Sequence, residues 1–319
     1  MSTDRGRDLT LNVLFAAQPK SWAEYEAPLR SAFAKAGIDA VLSTDIAPAD
    51  VDYIVYAPNG PVTDFTPFTK LKAVLSLWAG VETMVHNPTL TAPLCRMVDH
   101  GLTESMVEWV TGHVLRYHLD MDRFVAGQDG VWRAGTAAPL ARDRKVCVLG
   151  LGVLGAGCAQ ALARLNFDVH GWARGPKTVD GVTCHHGEDG LKDALRDADM
   201  VALLLPDTAA TENVLNAERM ALMRRGGFVV NPGRGPLIDD AALIAALDGG
   251  QLAHATLDVF RVEPLPEDHP FWAHPKVTVT PHIAAETKAT TASEVIAENI
   301  VLGEAGQPFV HVVDRAAGY

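Results

Sequence analysis

The chain lacks a surplus of cations. Its 27 Lys and Arg stand against 39 Asp and Glu, a formal net charge of −12. Nucleic acids and anionic membrane surfaces are bound through clustered Lys and Arg, so neither is an expected partner, although a small anionic substrate remains compatible. No uncharged apolar run approaches the ~20 residues that span a bilayer. The segment from Met1 to Thr10 is polar, holds two arginines and two aspartates, and offers no apolar stretch for a signal peptide, so a cytoplasmic protein is expected. Cysteine is scarce as well. The four present, Cys95, Cys147, Cys158 and Cys184, show no Cys-x-x-Cys spacing and mostly fall in apolar runs, the pattern of buried free thiols. None of the 12 histidines forms a convincing ligand set. His185 and His186 come nearest, but they are adjacent rather than one helical turn apart and are expected in a loop, so no metal is expected.

What the chain does have is a compact globular composition, 48% hydrophobic and 21% charged over 319 residues, a length suited to two domains of ~100–200 residues. The first hundred residues alternate strand-like and helical runs: Leu11–Ala16, Trp22–Ala36, Tyr53–Tyr56, Phe65–Leu71 and Ala73–Leu77. A long helical pattern from about Thr103 to Phe124 follows, with Leu102, Met106, Trp109, Val110, His113, Val114 and Tyr117 on one stripe, a candidate bridge between domains. A second series of apolar strands, Lys145–Gly150, Phe167–Trp172, Met200–Leu205, Gly227–Asn231, His254–Val259 and Val277–Thr280, has helical segments between most of its members. Strands this apolar indicate parallel sheets covered on both faces. The expected division is a domain of residues 1–102 completed by 285–319, whose helical stretch from Ala285 to Leu302 returns to it, and a dinucleotide-binding domain of residues 103–284.

The strand from Val146 runs into Gly150-Leu151-Gly152-Val153-Leu154-Gly155 and then into a helical pattern. This is G-x-G-x-x-G in its required context: Gly150 for the tight turn, Gly152 for backbone approach to a pyrophosphate, and Gly155 for close packing of helix on strand, with free N–H groups of the helix start facing the phosphates. Where the second strand ends, at Gly171-Trp172-Ala173-Arg174-Gly175-Pro176-Lys177, no carboxylate is available for a ribose 2′-OH. Arg174 and Lys177 could instead neutralise a 2′-phosphate. NADP(H) is therefore the expected cofactor and NAD(H) the alternative, the bland reading of the two cations being a solvated loop.

Three later segments place a polar residue just beyond an apolar strand, where open α/β sheets build their sites. They are Asn231-Pro-Gly-Arg234-Gly, Asp258-Val-Phe-Arg-Val-Glu263-Pro and Pro281-His282-Ile. Singly, Arg234 reads equally as a surface ion pair, Glu263 as a cap and His282 as a core histidine; together behind a dinucleotide loop they read as a site. With these segments, and with the loop from Leu77 to Glu82 and the tail from Asp314 to Tyr319, the chain resembles the D-isomer-specific 2-hydroxyacid dehydrogenases of the glyoxylate/hydroxypyruvate reductase A type. It departs from many of them at Ala173, where they carry an aspartate.

The resemblance implies a Rossmann coenzyme domain beside a flavodoxin-like substrate domain, both doubly wound parallel sheets. The implied activity is reduction of a small 2-oxo acid, glyoxylate or hydroxypyruvate, in a homodimer. It implies His282 as general acid, Glu263 as its hydrogen-bond partner and Arg234 as the anchor of substrate carboxylate and carbonyl. Ala79 and Gly80 would bind the carboxylate through backbone amides. Asp258 would position the nicotinamide carboxamide, with Pro206 also lining the cofactor, and Trp78 would either wall the pocket or pack within the domain. Two other readings are weighed. A dinucleotide-sensing protein without turnover is opposed by the intact Arg234, Glu263 and His282. Formate or phosphite oxidation on the same scaffold is disfavoured because members resembling formate dehydrogenases carry an amide where Glu263 stands.

Overall fold

The computed structural model describes residues 10–135 and 137–318. Most of the polar N-terminus (1–9), Thr136 and the terminal Tyr319 lie outside the described residues. The chain divides into two compact units, Met1–Gly101 with Thr287–Tyr319, and Leu102–Glu286.

The first unit opens with β1 (Leu11–Ala16), α1 (Pro19–Ala36), β2 (Ala40–Ser43), β3 (Tyr53–Tyr56), β4 (Ala73–Ser76) and β5 (Leu94–Cys95). The strands form one parallel sheet in the order β2-β1-β3-β4-β5. Every residue of β3 and β4 is buried, which is why these strands read as unbroken apolar runs rather than as alternation. Pro19 starts α1 and Gly37, in the left-handed conformation, stops it, the usual division of labour between these residues.

The second unit holds most of α2 (His100–His118), then α3 (Met121–Ala126), β6 (Lys145–Leu149), α4 (Val153–Arg164), β7 (Asp168–Ala173), β8 (Thr183–His186) and α5 (Gly187–Leu195). It continues through β9 (Met200–Leu203), α6 (Ala217–Leu222), β10 (Gly227–Asn231), α7 (Asp240–Asp248), β11 (Leu252–Leu257), α8 (Pro270–Ala273) and β12 (Val277–Val279). Its seven strands are parallel in the order β12-β11-β10-β9-β6-β7-β8. The chain winds outward from β6 in one direction through β8 and then resumes on the other side with β9. That reversal makes the carboxyl ends of β6 and β9 the topological switch point, where such sheets bind nucleotides. The chain then returns to the first unit as α9 (Ala289–Glu304). Ala289, Ala292, Ile296, Ala297 and Ile300 of α9 share a core with Leu29 and Phe33 of α1. Glu304 at its end accepts a 2.7 Å hydrogen bond from the buried Tyr53 hydroxyl.

Both sheets are the doubly wound α/β architecture read from the sequence. Several local readings need correction. The helical pattern from Thr103 to Phe124 is two helices, α2 and α3, because Asp120 adopts a left-handed φ of 53° that no helix continues through. Phe65–Leu71 forms turns, not a helix; Asp64 caps Thr66 and Pro67 follows at once. His185 and His186 end strand β8 rather than lying in a loop. The thiols of Cys95, Cys147 and Cys158 are buried, and burial pushes each up to about 12; Cys184 is half-buried.

Candidate active site

Strand β6, buried from Val146 to Leu149, delivers the glycine loop to the switch point. Gly150 has φ 106°, and a Cβ there would lie 2.5 Å from the Leu204 carbonyl oxygen. At Gly155 a Cβ would meet the Gly150 carbonyl oxygen at 1.7 Å, so only glycine lets α4 begin this close to the strand. Gly152 differs from both. A Cβ there would have nothing within 4 Å, and this N-cap residue offers no side-chain cap to α4. The first N–H groups of α4, among them those of Val153 and Leu154, thus border open space with no capping side chain, the arrangement a pyrophosphate fits. Pro206 follows β9, and its carbonyl is held by the Thr211 hydroxyl at 2.7 Å. Ala173 is the last residue of β7 and is buried, while Arg174 and Lys177 beyond it are exposed.

On the other side of β9, three loops at the carboxyl ends of β10, β11 and β12 are tied to one another. Asn231, buried at the end of β10, accepts the Gly233 N–H at 3.1 Å and donates to the Arg234 carbonyl at 3.0 Å, shaping the turn that presents Arg234. The next residue packs on the neighbouring loop so tightly that a Cβ on Gly235 would lie 2.0 Å from the Phe260 carbonyl carbon. Asp258, fully buried, ties the β11 loop to the β12 loop. Its carboxylate accepts the Thr280 hydroxyl at 2.6 Å and the N–H groups of Ile283 and Ala284 at 2.9 Å each. Its carbonyl accepts the His282 N–H at 2.8 Å. These bonds hold His282 at φ 55°, a conformation non-glycine residues adopt only when their surroundings impose it.

Glu263 completes the arrangement. One carboxylate oxygen accepts the Phe260 N–H at 2.9 Å and the other accepts His282 Nδ1–H at 2.7 Å. Glu263 therefore orients the imidazole through Nδ1, leaving Nε2 outside this pair. The hydrogen bond that His282 donates to Glu263 raises the His282 pKa above the ordinary imidazole value; burial and the charge of Arg234 oppose it. Burial would raise the Glu263 carboxyl, but hydrogen bonds from His282 and Phe260 outweigh it and hold the group below the usual carboxylate range. The His282 side chain is 50% exposed and that of Glu263 35%, so this pair is open at one end. Arg234 is half-buried, with one guanidinium nitrogen on the Gly233 carbonyl at 2.7 Å.

Arg234, Asp258, Glu263 and His282 are thus gathered along one edge of the second unit's sheet, in line with the glycine loop, Arg174, Lys177 and Pro206. Trp78, Ala79 and Gly80 belong to the first unit. There Ser76 closes the turn after β4 by accepting the Trp78 N–H at 3.0 Å and donating to the Trp78 carbonyl at 3.1 Å. Trp78 is exposed rather than packed in a core. The sequence reading gave no role to Asn231 or Thr280, although both lay within quoted segments. An Asn at a strand end before Pro-Gly signals a side-chain-closed turn. A cavity of about 510 Å³ at the carboxyl ends of β1, β2 and β3, bordered by Trp22, Thr44 and Asn59, contains none of the residues read from the sequence.

Comparison with known proteins gives a consistent result. The family described as D-isomer specific 2-hydroxyacid dehydrogenase, NAD binding domain, matches residues 111–284. Glyoxylate/hydroxypyruvate reductase A of Yersinia enterocolitica is 36% identical over 97% of this chain and all of its own length. Among solved structures, a D-isomer specific 2-hydroxyacid dehydrogenase from Xanthobacter autotrophicus in complex with NADPH and MES is 38% identical. It superposes with a TM-score of 0.90 over 97% of this chain and 100% of that one. The NADPH-dependent glyoxylate/hydroxypyruvate reductase of Sinorhizobium meliloti, in complex with NADP and sulfate, is 34% identical with a TM-score of 0.84, covering 97% of this chain and 99% of that one.

Proposed function

Since the chain belongs to the D-isomer-specific 2-hydroxyacid dehydrogenase family, we propose that it reduces a small 2-oxo acid, glyoxylate or hydroxypyruvate, to the 2-hydroxy acid with NADPH. The observation that carries this reading is the 2.7 Å bond between His282 Nδ1 and Glu263, on the same sheet edge as an uncapped glycine-loop helix. NADPH, when bound, supplies the hydride. Gly150, Gly152, Val153, Leu154 and Gly155 hold its phosphates, Pro206 and Asp258 border it, and Arg174 and Lys177 meet the 2′-phosphate. Arg234 pairs with the substrate carboxylate and carbonyl through its planar fork and opposes the negative charge that develops on oxygen. His282 gives that oxygen a proton from Nε2, and Glu263 stabilises the imidazolium beforehand. By the same resemblance, Trp78, Ala79 and Gly80 are the substrate-binding residues of the first unit.

Mixing the protein with NADPH and a panel of short 2-oxo acids tests this directly: glyoxylate or hydroxypyruvate is expected to be turned over, and a panel that none of the acids passes with either cofactor refutes it. The pH profile tests the proton donor. Reduction uses protonated His282, whose pKa is raised, so kcat is expected to be full at low pH and to fall as pH rises through that raised value. Glu263→Gln removes the first cause of the shift and should move the fall to lower pH. An unmoved profile would uncouple the two residues.

We further infer a cytoplasmic homodimer without nucleic-acid or membrane partners, supported by the net charge of −12 and the three buried free thiols, and by the absence, among the described residues, of a helix long and apolar enough to cross a membrane. The segment after α2 exposes Val125, Val131 and, at 93%, Trp132. Apolar residues grouped this way mark a contact surface. Light scattering is expected to give the mass of a dimer, and Trp132→Asp to shift it toward the monomer.

A further inference from the structure

We propose that His186 is a third determinant of the 2′-phosphate site, acting with Arg174 and Lys177. The inference rests on the NADPH reading above and adds a residue whose role no sequence pattern indicated.

The register of β7 against β8 places His186. In the parallel ladder between β7 and β8, Gly171 is opposite Cys184, Trp172 opposite His185, and Ala173 opposite His186. Partners in register project to the same face of a sheet, on strands about 4.8 Å apart. The face on which Gly171 and Ala173 lie is covered by the glycine loop: a Cβ on Gly171 would meet the Leu151 side chain at 2.6 Å. Ala173 packs in the same apolar cluster as Leu151 and α4, with Cys184 against it. The opposite face carries His170 and His185, whose ring nitrogens lie 2.8 Å apart, and Trp172, which donates to the Gly187 carbonyl at 2.8 Å. His186 is therefore on the glycine-loop face, at the carboxyl edge, one strand outward from Ala173.

Ala173 is the position from which a carboxylate would reach a ribose 2′-OH. Its methyl group leaves that place to the substituent on the 2′-oxygen, and the neighbouring in-register side chain is the exposed imidazole of His186. Two acids of α5 lie close in sequence. Glu188 is engaged by Arg219 at 2.9 Å, and Asp189 follows it in the first turn. With Arg174 and Lys177 on the loop just beyond β7, the phosphate would meet two permanent cations and an imidazole that can donate a hydrogen bond.

Calorimetry with adenosine 2′,5′-bisphosphate and adenosine 5′-monophosphate isolates this contact without turnover. Wild type is expected to bind the bisphosphate more tightly. His186→Ala should lower the bisphosphate-to-monophosphate affinity ratio about three- to tenfold, the modest worth of a half-solvated charge-assisted bond, and leave the monophosphate unchanged. His186→Arg should restore the ratio. His186 is exposed at the end of an edge strand, so neither change disturbs a core. A ratio that His186→Ala leaves intact while Arg174→Ala lowers it removes His186 from the site and keeps the NADPH reading. A wild-type ratio near one overturns both.

Discussion

His282→Ala is expected to lower kcat for 2-oxo acid reduction by about 10²–10⁴-fold, the usual contribution of a positioned general acid. NADPH affinity should hardly change, because the glycine loop is built on β6 and α4 while His282 is set by Asp258 and Glu263. The variant has one structural consequence of its own. Residue 282 sits at φ 55°, where a left-handed alanine costs about 1–2 kcal/mol, so some of the loss could come from a relaxed loop. His282→Asn separates the two effects, since asparagine is at ease in this conformation yet cannot act as a general acid. Asn is expected to be as inactive as Ala and to keep the native loop. Recovery of wild-type kcat in either variant would remove His282 from the chemistry.

Arg234→Lys should lower kcat/KM by about 10²–10³-fold although the charge is kept, a loss comparable to that of one oxyanion donor. Arg offers two parallel N–H groups to a planar oxo acid, whereas Lys offers a point ammonium on a flexible stem. Asn231, bound to the Arg234 carbonyl, and Gly235, wedged against Phe260, fix the backbone from which the guanidinium extends, so a substitute side chain gets no help from a shifting main chain. Both kcat and KM should worsen, because the same fork meets the carboxylate in the ground state and the developing oxyanion afterwards. Full activity with Lys would show that Arg234 is not the two-pronged anchor.

Much of this arrangement was legible in the sequence because it is written in strands and in residues at their ends. Buried parallel strands are mostly apolar, so β1, β3, β4, β6, β7 and β9 to β12 stand out, β11 with its bounds two residues off, and the residues just past β10 to β12 announced the loops that meet. What was not legible depends on partners distant in the chain. β2 is four residues long, and β8 reads Thr-Cys-His-His, a polar run that becomes a strand only because β7 offers its edge. The break at Asp120 has neither Gly nor Pro to mark it. Asp258 resembles a cofactor contact in sequence; what the sequence did not indicate is that its carboxylate also ties down Thr280, Ile283 and Ala284, so that the placement of His282 depends on it.

The return of α9 to the first unit constrains how the chain is born on the ribosome. Leu29 and Phe33 emerge from the tunnel well before the side chains they pack against, Ile296 and Ile300, have been made. Residues 102–286 form a compact unit of their own and leave the exit tunnel in between, a wait of roughly 10–40 s at ordinary elongation rates. The continuous unit can therefore complete before the unit that holds both α1 and α9. Until then Leu29 and Phe33 have only the early strands of the first unit to pack against, and their core stays incomplete on the side that α9 will cover.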